Sequence, residues 1–444
     1  MMPLASRPRP TPCPPPGSTR RAFARSPAGA RRRRRRGFTL IELMVALSGG
    51  LMFSAFVFML AKDTTRFYQN ELRLSAATQN AVTGFQRLRT DIARAGFLST
   101  PNLSRDPSRC VDLMGDAGYT GNPGLQRLAT LSIDTSRGDN QHSIDLMGSY
   151  ASADTFPIRA VMTGGGGTQV FLQPQSGPMV RLVGQIVTPT QEQLDAALSN
   201  VFHVGRVLRI VDKAGAQQFG LITGVNTNNV AQPFIQLSNA PALQTKSSSA
   251  QPCGLRGTEA GSLVNVVQRI RYSLVTLTDA DVDLAPLLSG ATDGGIRQDL
   301  VRTELDWSDA GEQLAGTTRE LVAEYAVGLH FTLTAADPNQ NFRVTPIGPD
   351  RFAEFAGSPL TAPLNAGPQR IRSVRALLAV RSSAPDRGAD LLPDAQGPIA
   401  QGVYRVNIDP ATPTDGSPAP APRFARVRTL QADIALRNQR NARW

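Results

Sequence analysis

The 444-residue chain carries a formal charge of +12, which at first sight points to nucleic acid. The distribution of that charge excludes the reading: residues 1–37 hold eleven arginines and no acid, while the remainder has 36 basic and 35 acidic residues, a net of +1. The length suits one large or two ordinary domains after an N-terminal segment.

Residues 1–37, rich in Pro, Arg, Ala and Gly, read as a disordered basic leader. No Met lies between Met2 and Met44 and no Val precedes Phe38, so the long leader is kept as part of the protein. It ends in six arginines, 31–36, and Gly37. Then comes F-T-L-I-E-L-M-V-A-L-S-G-G-L-M-F-S-A-F-V-F-M-L-A, residues 38–61, with one charge, Glu42. About 20 apolar residues cross a bilayer as a helix. The basic block keeps the amino end cytoplasmic and sends everything after Ala61 outward. A secretory signal peptide fits poorly, because the run exceeds the usual core of about 7–15 residues and Met59 stands where cleavage at Ala61 wants a small side chain. A plain signal anchor leaves Glu42 without a purpose, since a carboxylate in an apolar helix marks a partner. A cut after Gly37 would make Glu42 the fifth residue of a new chain, within reach of the Phe38 ammonium of a neighbouring copy.

The run R-G-F-T-L-I-E-L-M-V-A-L resembles the cleavage and methylation signature of type IV prepilins and type II secretion pseudopilins. The resemblance implies that a membrane prepilin peptidase cuts between Gly37 and Phe38 and N-methylates Phe38. It also implies that Glu42 governs assembly into a filament with other minor and major pilins. The protein would then sit in the bacterial inner membrane, single-pass with a periplasmic C-terminus, before entering a pilus or pseudopilus. Glu42 sets it apart from K-class tip pseudopilins, which commonly lack that acid.

Residues 62–96 continue the helix. Leu74, Ala81, Leu88 and Ala95 recur at seven residues, with Phe85 and Ile92 between them, and the charged residues, Asp91 included, fall on other faces. Gly96 is the expected stop. From Phe38 to Ala95 such a helix runs about 87 Å. Gly49 and Gly50 weaken its membrane half; bending in a filament and close packing are both open readings.

From residue 97 to 444 short β-rich runs alternate with Gly, Pro, Asn and Asp clusters, which predicts an enlarged antiparallel β-sheet head and an α+β fold. Expected strands are Ala129–Ile133, Val180–Val187, Arg206–Val211, Phe219–Val225, Phe234–Leu237, Leu263–Leu277, Leu300–Trp307, Ala326–Leu333, Ile371–Val380, Val403–Ile408 and Val427–Leu436. Thr190–Ser199 and Thr318–Ala323 are expected to be helical. Ala335–Pro368 and Ala384–Gly397 read as surface excursions, and Gly164–Gly167 as a hairpin or flexible loop. The runs R-T-E-L-D-W, T-R-E-L-V-A-E-Y-A-V-G-L-H-F-T-L, R-I-R-S-V-R-A-L-L-A-V-R-S and V-R-T-L-Q-A-D-I-A-L-R-N-Q-R resemble the succession in PilW-type minor pilins and J-class pseudopilins. Residues from about 100 to 260 have no counterpart in that resemblance and read as an insertion or a divergent half of the head.

Catalysis is not expected. His142, His203 and His330 are isolated in sequence, no G-x-S-x-G occurs, and no metal or cofactor set is expected. Asp279, Asp281 and Asp283, and more loosely Asp134, Asp139, Asn140 and Asp145, are oxygen-rich runs that Ca²⁺ could use, with solvated acidic loops as the default. Cys13 leaves with the leader, so Cys110 and Cys253 remain as an even pair in an oxidising compartment and are expected to form a disulfide. The reading is a minor pilin or pseudopilin that helps prime type IV pilus assembly. The alternatives are a pilus-tip adhesin or binding module, and a type II secretion pseudopilin.

Overall fold

In the computed structural model Leu40–Arg94 is one 55-residue helix, α1, followed by a large antiparallel β domain, the α+β, pilin-like layout expected. The structure describes residues 38–110, 123–138, 141–164, 167–184, 186, 189–241, 243–244, 253–254, 261–277, 281, 283–284, 286, 297–308, 310–359, 362–363, 365–394, 402–408 and 422–439.

The second half of α1 buries the stripe that its periodicity marks: Leu74, Ala81, Phe85, Leu88, Ile92 and, just beyond the helix, Ala95. The chain leaves the helix through Gly96, whose φ of +73° suits a residue without a Cβ. Asp91, off the apolar stripe in the sequence reading, is only 2% exposed.

One sheet under this helix comprises β1 (Leu131–Asp134), β2 (Ser143–Gly148), β8 (Leu263–Val275), β9 (Asp299–Leu305) and β10 (Glu320–Ala323), side by side and antiparallel. A second has the order β12-β11-β13-β15-β14, formed by Arg343–Ile347, Ala326–Asp337, Ile371–Arg381, Phe424–Ala435 and Val403–Asn407. Side chains of α1 and of both sheets share one core, among them Leu88, Ile144, Tyr272, Leu329, Phe331 and Val374.

Between β2 and β8 the chain builds something the sequence reading left open. β3 (Phe156–Gly164) pairs with β4 (Gly167–Leu172), β4 with β7 (Phe234–Leu237), β7 with β6 (Gln217–Asn226), and β6 with β5 (Val207–Val211). β5 pairs with the first half of β8, and that half also pairs with β3. The ring closes: six antiparallel strands form a small barrel, with its own core around Phe156, Leu172, Ile210, Ile235 and Val264. Closure removes free sheet edges. β8 is shared, and period-two alternation makes this possible. Val264 and Val266 point into the barrel core, while Ile270, Tyr272 and Leu274, on the same face further along, pack in the core beneath α1.

Several expectations need correction. Val180–Val187 is not a strand: Gly177–Leu182 is a short helix (α3; α2 is Pro123–Gln126), entered from Ser176 with Pro178 in its first turn. Thr318–Ala323 is not a helix: Glu320–Ala323 is β10, held by β9 and packed beneath α1. Strands β2, β3, β4 and β12 were not expected. The 335–368 stretch is no simple surface excursion, because it completes β11, adds β12 and inserts Phe352, Phe355 and Ala356 into the core with α5 (Phe352–Phe355). The helix expected at Thr190–Ser199 is α4 (Gln191–Val201), with a capping box between Thr190 and Gln193. The Gly164–Gly167 run is a hairpin, its two outer glycines paired across β3 and β4.

Candidate processing and assembly segment

The predicted cleavage residue Gly37 and the arginine block lie outside the described residues. Phe38 is 81% exposed, and every residue from Phe38 to Thr65 is exposed. Thr39 caps α1: the backbone N–H of Glu42 donates to its Oγ1 at 3.3 Å. Glu42 therefore sits in the first helical turn, where the unpaired N–H groups and the helix dipole favour a carboxylate. Its local role and its availability to another chain are compatible, since its side chain is exposed.

Three hydroxyls of this stretch bond back to the helix backbone. Ser48 donates to the carbonyl of Val45 at 3.1 Å, and Thr64 and Thr65 donate to Leu60 and Ala61 at 2.7 Å each. Glu42 is thus the one side chain between Phe38 and Ala61 that brings a full charge. Gly49 and Gly50 have nothing within 4 Å of where a Cβ would stand, so nothing in a single chain requires glycine there. Among the described residues one helix is long and apolar enough to cross a membrane, with mean hydropathy 2.2 over its most apolar window.

The outer half of α1 is fixed by residues that periodicity did not single out. Asp91 Oδ2 accepts from Tyr272 Oη at 2.7 Å and from Arg302 Nε at 2.9 Å. Burial, and then the neighbouring Asp91 charge, push the Tyr272 hydroxyl well above its ordinary pKa, so it remains a donor. Gly84 is a close-approach site: a Cβ there would lie 2.3 Å from the carbonyl oxygen of Val322 in β10. The sequence signal was present in both cases, a lone acid and a lone glycine inside a helical repeat, but neither names its partner.

Cys110 and Cys253 are bonded, with Cα atoms 5.5 Å apart and a sequence separation of 143. The N–H of Cys110 donates to the carbonyl of Gln217 in β6, so the bridge ties the segment after α1 to the barrel wall and to the approach to β8. Of the residues considered for Ca²⁺, Asp134 accepts from the N–H of Ser136 at 2.9 Å, and three others have protein cations as partners. Asp281 and Asp283 both pair with Arg319, and Asp145 is held by Arg269 at 2.7 Å and Arg271 at 2.6 Å; Asp279, Asp139 and Asn140 lie outside the described residues. His142 and His330, isolated in sequence, meet with ring centroids 4.3 Å apart, and His142 Nδ1 accepts from the N–H of Phe331. Among the described residues no three His, Cys, Asp or Glu side chains group as a metal site would need.

The family model described as the prokaryotic N-terminal methylation motif matches residues 32–48. No curated protein and no solved structure matches the chain. A methylation motif at the head of an exposed apolar helix, followed by an antiparallel β domain, supports a pilin- or pseudopilin-like structural protein that a prepilin peptidase processes.

Proposed function

We propose that the protein is a minor pilin of the PilW type that is cut after Gly37, methylated at Phe38 and inserted by α1 into a filament whose assembly it helps to prime. The observation that carries this reading is the match over residues 32–48, which runs into the start of a long exposed apolar helix with Glu42 in its first turn. No basic side chain lies between Phe38 and Ala61, so in an apolar medium the carboxylate of Glu42 has terminal ammonium groups to pair with, and that of Phe38 in an adjacent subunit supplies one. The β domain faces the periplasm in this reading, which agrees with the Cys110–Cys253 bridge, and filament-forming pilins are the neighbours. The protein is a substrate of the peptidase and a building block; no reaction is assigned to it.

Intact mass and N-terminal sequencing of the membrane-extracted protein test the processing step. The chain is expected to start at methylated Phe38, with its mass two hydrogens lighter than that of the reduced form. A protein that retains the arginine block is a signal anchor instead. Glu42→Val is expected to leave the protein inserted and folded but to lower its recovery in sheared filaments several-fold; unchanged recovery removes Glu42 from assembly.

A second reading, a binding module displayed on the filament, is favoured by the six-stranded barrel, which the helix-bearing sheets do not need in order to form their shared core. Deleting residues 100–260 would not test it cleanly, because that stretch also contains β1 and β2. Substitutions confined to the barrel test it better: loss of attachment with intact filaments supports binding, and loss of filaments supports assembly.

A further inference from the structure

One end of the barrel is hollow. A cavity of about 750 Å³ lies between β3, the segment after β4, α3 and α4. Its deep wall consists of Ile158, Met179, Val183 and Leu194, all members of the barrel core. Its polar side is small. Arg159, at the bulge where the β3–β4 register shifts, and Gln173, just past the end of β4, both line it. Arg159 is the one charged residue of the lining, and no described residue pairs with its guanidinium. The nearby Arg181 is different, since it is held by Asp154 at 2.6 Å.

We propose that this cavity binds a small amphipathic anion, with its apolar body against Met179 and Leu194 and its carboxylate or sulfonate on Arg159. The volume lies in the range that encloses a drug-sized molecule, and mouths of β-barrels are recurrent places for such ligands. An apolar wall of this depth selects against ions that are hydrated all round. A single unpaired guanidinium at its edge selects for one negative group, because the planar fork holds a carboxylate through two hydrogen bonds. A neutral apolar molecule would leave the Arg159 side unused, and a cation would be repelled. This site is independent of the assembly role, which rests on residues 38–42.

Equilibrium dialysis of radiolabelled 1-naphthoate against the full-length protein in lipid nanodiscs, with empty nanodiscs as background, tests the proposal. Saturable binding of one equivalent is expected. Arg159→Glu is expected to weaken it at least tenfold while leaving the affinity for uncharged 1-naphthalenemethanol within twofold. Val180→Trp, which fills the cavity from α3, is expected to abolish binding of both compounds. Retention of the Cys110–Cys253 bridge and an unchanged far-ultraviolet spectrum show that each variant is folded; should Val180→Trp fail this check, Ala231→Trp fills the same space from the opposite wall. No saturable binding above the nanodisc background overturns the proposal, as does equal binding by wild type and the folded Arg159→Glu variant.

Discussion

Asp91 illustrates how one side chain can carry more than its local propensity suggests. It is buried with Tyr272 and Arg302 as donors, so it converts a helix that lies on a sheet into one hydrogen-bonded to it. Removing Asp91 strips the buried Tyr272 hydroxyl of its acceptor and leaves Arg302 with Glu320 at 3.6 Å, and an unsatisfied buried group of that kind costs about 1–3 kcal/mol. Asp91→Ala is therefore expected to lower the urea midpoint of the β domain strongly, and Asp91→Asn, which keeps one acceptor, to lower it less. Equal effects from the two would assign the loss to packing alone. Asp283 gives a pH signature. Its contact with Arg319 holds its carboxyl down at about 2. A carboxylate depressed from an unfolded value of about 3.9 contributes stability that is complete above that value and is lost as the pH falls through about 2. The stability difference between wild type and Asp283→Asn is thus expected to be constant near neutrality and to vanish between about pH 4 and pH 2 in melting experiments. A difference that disappears near pH 6 would remove Asp283 as the cause.

At the scale of elements, Gly84 sets how closely α1 lies on β10. Gly84→Val pushes a branched side chain into the Val322 carbonyl, and overpacking of that kind costs about 1–3 kcal/mol. The variant is expected to melt earlier with the processing site untouched; an unchanged melting temperature would show that helix and strand separate without penalty. Elements with a strong local signal were legible in the sequence. The apolar stripe of α1, the Thr190–Gln193 cap of α4 and the β-branched run of β8 each state their structure without help from elsewhere. Elements that depend on a distant partner were not. Glu320–Ala323 is strand because β9 and Gly84 receive it, and the Val180 region is helix because Ser176 and Pro178 start it, a signal its apolar residues obscured. The methylation motif was readable because it is a run of adjacent residues, and a family model matches it over residues 32–48. The barrel was not, since no local pattern announces that β3 and β5 will both return to one strand formed about fifty or more residues later.

For the whole molecule, the consequence lies in β8. Its first half is a stave of the barrel and its second half a central strand beneath α1. No loop separates the two roles, so neither substructure can open without pulling on the other's hydrogen bonds. Calorimetry of the β domain is expected to show one transition with matching calorimetric and van't Hoff enthalpies, whereas a separate early barrel transition would mean that β8 breaks in its middle. The same continuity makes the strand a mechanical lever. Force applied along α1 is expected to reach the barrel through one unbroken thirteen-residue strand. Tension on the helix and load on the barrel wall would thus share one path through β8.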